Sequence, residues 1–220
     1  MVDFFRYLLD LFLHLDVHLQ EIIAQYGTLT YLILFLVIFA ETGFVFTPFL
    51  PGDSLLFAAG TLAAISVLNV HYLFFLLVLA AVLGNSSNYL VGHLIGETIF
   101  HKYPRFLKKE YLDRTHEFYE KHGGSTVIIT RFVPIIRTFA PFVAGVGSMT
   151  FAKFSVYNIT GGVLWVVVFV YGGYFFGNIP LVKNNFSIVT IAIILISLLP
   201  AVIEFIRQKR KAVKNPNTIY

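Results

Sequence analysis

The chain has 220 residues, of which 57% are hydrophobic and 13% charged, whereas a soluble domain carries nearer a quarter charged residues. Apolar runs of membrane-spanning length recur from about residue 28 onward, so the composition excludes an ordinary soluble domain and points to a polytopic membrane protein. The absence of cysteine excludes disulfides and thiol chemistry, and the basic excess, 16 Lys and Arg against 12 Asp and Glu, is gathered in two segments, which favours topology and lipid headgroups over nucleic acid.

Residues 1–26 read as an interfacial amphipathic helix. Asp3, Asp10, His14, His18, Glu21 and Gln25 form a polar stripe at helical spacing, with Phe and Leu between them. His14 and His18 stand four apart, but no third ligand is evident and no metal site is expected. No basic start or small-residue cleavage site marks a cleaved signal. Residues 28–46 form an apolar span with Glu41 near its end. Residues 48–66 are apolar but broken by Pro and Gly. Residues 70–96 form a second span, closing on Gly84, Asn85, Asn88, Tyr89, Gly92, His93 and Gly96. Residues 97–124 form a charged amphipathic loop. Residues 125–147 are a second broken apolar stretch, residues 151–178 a third span, and residues 186–206 the last, with a kink expected at Pro200. The tail, 207–220, is basic.

Charge counting sets the topology. Lys102, Arg105, Lys108, Lys109, Arg114 and Lys121 lie in the loop. Arg207, Lys209, Arg210, Lys211 and Lys214 lie in the tail. Both segments belong on the cytoplasmic side. That holds only if 125–147 enters and leaves by one face, as a re-entrant hairpin whose irregular backbone is buried in protein or lines a cavity. The same reasoning makes 48–66 re-entrant from the outer face. The expected architecture is an all-α inverted repeat: 28–96 with hairpin 48–66, then 125–178 with hairpin 125–147, and about four full spans. Equal spacing of Glu41 to Pro51 and Arg131 to Pro141, and the pairs Gly92/Gly96 and Gly173/Gly177, are consistent with a repeat.

The chemistry lies in the hairpins. Each charge at mid-bilayer costs about 2.5–3.5 kcal/mol, so Glu41, Asp53, Arg131 and Arg137 together cost on the order of 10 kcal/mol. They must face one another, a cavity or a substrate. Arginine presents a planar fork that suits phosphate oxygens. An intramembrane carboxylate can carry a proton. The expected roles are headgroup binding for Arg131 and Arg137 and proton coupling for Glu41 and Asp53. On an unbroken helix the two arginines would point about 240° apart; Pro134 interrupts the helix, so they can converge. Bland readings stand beside these. Asp53 can cap the second limb, Arg131 can snorkel at the rim, and Glu41 with Arg137 can be a structural salt bridge. Pro51, Asn85, Tyr89, Thr138 and Pro141 are candidates for lining a polar cavity. His116-Glu117-x-x-Glu120 lacks the second histidine of a zinc motif, and no nucleophile–base set or cofactor fingerprint is present. No catalytic residue, cofactor or nucleic-acid partner is expected, and the sequence leaves a homo-oligomer open.

Glu41-Thr-Gly, Pro48-Phe-Leu-Pro51-Gly52-Asp53-Ser54, Gly84-Asn85-x-x-Asn88-Tyr89-x-x-Gly92, Arg131-Phe-x-Pro134-x-x-Arg137-Thr-x-x-Pro141-x-x-Ala-Gly145 and Gly173-Tyr174-x-x-Gly177 together resemble the DedA membrane proteins, also called SNARE-associated or VTT-domain proteins. The resemblance covers roughly residues 25–210. It implies an all-helical transporter of the bacterial inner membrane with two opposed re-entrant hairpins, tied to proton-motive force; with the charge count, the expectation is a multi-pass protein with both termini cytoplasmic. It implies membrane lipids and protons as partners, with undecaprenyl phosphate or a phospholipid as cargo. It maps the family's functional acids onto Glu41 and Asp53 and its arginines onto Arg131 and Arg137. Two positions depart: Asn85, where many members carry Asp, and His93, where many carry Arg. A proton-coupled exporter of small ions or cationic compounds and a non-transport membrane scaffold are the alternative readings.

Overall fold

The computed structural model describes residues 14–44, 52–65, 67–102, 124–147, 149–193 and 195–196. Among them every regular element is helical. Helix α1 is Leu15–Tyr26, α2 Leu29–Gly43, α3 Gly52–Ala64 and α4 Val70–Lys102. Then come α5 Ser125–Thr130, α6 Pro134–Val146 and α7 Phe151–Val166. The last passes through a π-helical turn, Val167–Tyr171, into α8 Gly172–Phe176. A short α9, Pro180–Lys183, and a helical stretch at 186–193 follow. Residues 1–13, 45–51 with Pro51, 103–123, the end of the expected last span with Pro200, and the basic tail lie outside the described residues.

Local chemistry sets the breaks. Helix α2 stops where Phe44 turns extended (φ −104, ψ 128), ahead of Pro48. Asn69 starts α4: its side-chain oxygen accepts the N–H groups of His71 and Tyr72 at 3.0 and 3.2 Å, as an N-cap should. Val133 is extended (φ −116, ψ 103), as the residue before a proline prefers, and Pro134 opens α6 where its missing N–H costs nothing.

Length sorts the helices. Val70–Leu94 and Phe151–Phe176, of 25 and 26 residues, are long and apolar enough to cross a membrane. Helices α2, α3 and α6, of 15, 13 and 13 residues, reach about 20–22 Å, short of a hydrocarbon core of about 30 Å.

These short helices are held by the long ones. Helix α3 lies on the α7–α8 segment and α6 lies on α4. The two crossings have the same construction. A Cβ on Gly60 would collide with the Val170 carbonyl, and one on Gly173 with that of Phe57. A Cβ on Gly92 would collide with the Phe142 carbonyl, and one on Gly145 with that of Tyr89. Phe57-x-x-Gly60 thus corresponds to Phe142-x-x-Gly145, and Val170-x-x-Gly173 to Tyr89-x-x-Gly92. At each crossing backbone meets backbone, as small residues permit in membrane helices. Gly92→Val and Gly173→Val are each expected to lower stability by about 1–3 kcal/mol through overpacking, read as a lower melting temperature of the purified protein. Unchanged melting in both would mean the helices are not in such close contact.

The core fills the space between. Leu34, Ile38, Leu56, Leu62, Leu73, Leu77, Trp165 and Val170 are almost fully buried in one cluster. Leu15 and Leu19 of α1 join it, so that face of the first helix is turned onto the protein. Leu29, Leu32, Leu36, Tyr72, Phe75 and Leu79 are exposed, the outward apolar face expected of a chain surrounded by lipid.

Candidate functional site

Four charged side chains from both halves of the chain meet in this core, and all are buried: Glu41 at 0% exposure, Arg131 at 2%, Asp53 and Arg137 at 5%. Glu41 comes from the last turn of α2 and Asp53 from the first turn of α3. Arg131 sits in the break between α5 and α6, and Arg137 in the first turns of α6.

Arg137 divides its guanidinium between the two acids. Its Nη1 donates to Asp53 Oδ1 at 2.6 Å and its Nη2 donates to Glu41 Oε1. Glu41 Oε1 also accepts the Gly52 N–H at 3.3 Å. A Cβ at Gly52 would occupy the place of the Glu41 carboxylate, so this glycine is a requirement of the site. Asp53 Oδ1 accepts a second bond, from Trp165 Nε1 at 2.9 Å. Charge-assisted bonds of this kind are among the stronger ones in proteins.

Arg131 is built differently. Its Nη2 donates to Asn158 Oδ1 at 2.7 Å and to the Ala81 carbonyl at 3.4 Å. Asn158 is itself fixed, since its Nδ2 donates to the Val82 carbonyl at 3.0 Å and to Ser86 Oγ at 3.2 Å. Arg131 has no carboxylate partner among the described residues, and its Nε and Nη1 have no hydrogen-bond partner there. The guanidinium carbons of Arg131 and Arg137 lie 5.9 and 5.4 Å from the centroid of the Trp165 ring. This is cation–π range. The helix break ahead of Pro134 thus sets both arginines against one ring, and Arg131 is buried within the protein.

Of the other expected residues, Tyr89 belongs to a separate buried cluster with Val127, Ala144, Met149 and Phe154. Asn85 and Pro141 are buried. Thr138 is buried, and its carbonyl accepts Asn88 Nδ2 at 2.6 Å; the same amide reaches the Thr42 carbonyl at 3.4 Å, tying α4 to both α2 and α6. Tyr89 donates its hydroxyl to the Met149 carbonyl and stacks on Phe154, with centroids 4.5 Å apart. His93 is exposed and lies parallel to Tyr89. Pro51 and the His116–Glu120 stretch lie outside the described residues. Among the described residues no cluster of His, Asp and Glu is placed to hold a metal ion, and His18 contacts Glu21 at 3.2 Å.

Trp165 and Asn158 are not among the site residues expected from the sequence. A signal was present: Asn158, Gly161, Gly162 and Trp165 fall at i, i+3, i+4 and i+7, one face of a helix, and Trp165 is the sole tryptophan.

The profile of the VTT domain matches residues 50–175, more than half of the chain. The chain is 53% identical over 216 residues to Protein DedA of Escherichia coli strain K12, covering 97% of this chain and 99% of that one. It belongs to the DedA family. Similarity extends to a membrane protein of Mycobacterium tuberculosis strain H37Rv, 43% identical over 178 residues, covering 80% of this chain and 78% of that one. The Inner membrane protein YqjA of Escherichia coli K12 is 36% identical over 151 residues, 68% of this chain and 69% of that one. No solved structure matches. The domain match spans Asp53, Arg131, Arg137, Asn158 and Trp165 of this DedA family membrane protein and begins after Glu41.

Proposed function

We propose that this DedA family protein is a transporter that carries a lipid phosphate, such as undecaprenyl phosphate or a phospholipid, between leaflets, coupled to protons. One observation carries the reading. Two guanidinium groups converge, buried, at a helix break, with two carboxylates of the other half of the chain against one of them. Arginine suits phosphate, and intramembrane acids suit proton handling. The lipid tail stays in the bilayer, so the polar site accommodates a headgroup only.

In this reading 48–66 and 125–147 are re-entrant hairpins entering from opposite faces. The short lengths of α3 and α6, and the like construction of their crossings, support an inverted repeat. The chain then crosses a bacterial inner membrane about four times with both termini in the cytoplasm. Export of cations has less support, because Glu41 and Asp53 are both bonded to Arg137.

The test is headgroup translocation in proteoliposomes, with a phosphate-bearing lipid and a phosphate-free neutral lipid under an imposed pH gradient. The expected result is faster movement of the phosphate lipid with the wild type, and loss of gradient dependence with Glu41→Gln. Wild-type rates no higher than those of protein-free vesicles would refute the assignment.

A further inference from the structure

The geometry points to a division of labour between the arginines: Arg131, positioned by Asn158, is the seat of the substrate's phosphate oxyanion, while Arg137 is the internal counter-ion of Glu41 and Asp53. This rests on the lipid-phosphate reading above and assigns its parts.

Both terminal nitrogens of Arg137 are engaged by carboxylates, so its charge is already answered within the protein. Arg131 is as deeply buried, yet its bonding partners are an amide oxygen and a backbone carbonyl, both neutral. Two of its nitrogens, Nε and Nη1, are without a hydrogen-bond partner among the described residues. The ring of Trp165 offers its face but no negative charge. Arg131 feels the charge of Glu41 without bonding to it, so its direct hydrogen bonds go to neutral groups alone and two of its nitrogens remain for an anion. The ring that both arginines approach also places Arg137 where it repels Arg131. The described carboxylates of the site hydrogen-bond to Arg137 and not to Arg131.

Asn158 is the residue that makes this arrangement hold. Its amide nitrogen is claimed by the Val82 carbonyl and Ser86 Oγ, so its oxygen must face Arg131. It orients the guanidinium without neutralising it. Gly162 cooperates: a Cβ there would stand 2.9 Å from Arg131 Nη1, so its absence lets the guanidinium lie against α7. Aspartate at 158 would be nearly the same shape and would give Arg131 a counter-ion of its own.

The experiment compares wild type with Asn158→Asp as full-length protein in detergent. The probes are inorganic phosphate and a short-chain phosphatidic acid, with the matching neutral diacylglycerol as blank. The variant is expected to bind the phosphate-bearing probe about tenfold more weakly or worse, while melting at the same or a higher temperature. A purely structural asparagine would move both readouts down together. Loss confined to phosphatidic acid marks the anion as lipid-borne; loss for both probes marks the bare oxyanion as sufficient. Undiminished binding by Asn158→Asp overturns the division of labour while leaving the phosphate reading intact. A wild type that binds neither probe overturns that reading and this inference with it. Should Asn158→Asp melt below wild type, Asn158→Leu decides. Weaker binding at unchanged melting supports the positioning role, and wild-type affinity overturns it.

Discussion

Arg137→Ala is expected to abolish translocation and to lower stability by about 3–5 kcal/mol, the usual cost of removing one partner from a buried ion pair. The reason is geometric. Glu41 and Asp53 are both bonded to this one guanidinium and are otherwise enclosed. Without it two like charges remain buried side by side. For a chain of this size the loss is a fall in melting temperature of roughly 6–20 °C. Neutralising the acids as well, with Glu41→Gln and Asp53→Asn in the Arg137→Gln background, is expected to recover much of the stability but none of the transport, because the ion pairs are replaced by amides of similar volume. An Arg137→Ala protein that melts with the wild type would show that the triad does not hold the fold together.

Trp165→Ala is the second large effect. The ring is fully buried in the main core and lies beneath both arginines, while its N–H holds Asp53. Truncation of a core tryptophan costs about 3–5 kcal/mol, and here it also removes a donor from a buried carboxylate. Trp165→Phe separates the two contributions. It keeps most of the ring but deletes the bond to Asp53, and is expected to cost about 1.5–3 kcal/mol, typical of a hydrogen bond to a charged group. Thermal melting and lipid translocation should fall in the order wild type, Phe, Ala. Equal behaviour of the Phe and wild-type proteins would mean the N–H is dispensable.

The charged residues of the site were legible in the sequence for a simple reason. Glu41, Asp53, Arg131 and Arg137 stand in apolar surroundings where a charge is costly, so each advertises a role. Pro134 likewise announces an interrupted helix, whereas Pro141 lies inside the continuous α6. The sequence left open which acid meets which arginine, because that depends on contacts across 84 and 96 residues of chain. Arg137 takes both acids and Arg131 neither. Trp165 and Asn158 stayed hidden because a tryptophan and an amide in an apolar span are cheap to place and mean little until their neighbours are known. The glycine spacing was a partial guide. Gly92 and Gly173, matched by their intervals, do play the same part at the two crossings. Glu41 and Arg131, also matched by interval, do not: the first lies within a helix and the second in a break.

The triad also constrains the order of biosynthesis. Glu41 and Asp53 leave the ribosome long before Arg137, which is 96 and 84 residues further on. While the chain is being inserted the two acids have no arginine of the site to meet, and each faces about 2.5–3.5 kcal/mol against entering the bilayer as an ion. At the intramembrane depth proposed for the site, this favours entry of the first half with its acids neutral until the second half delivers the cation.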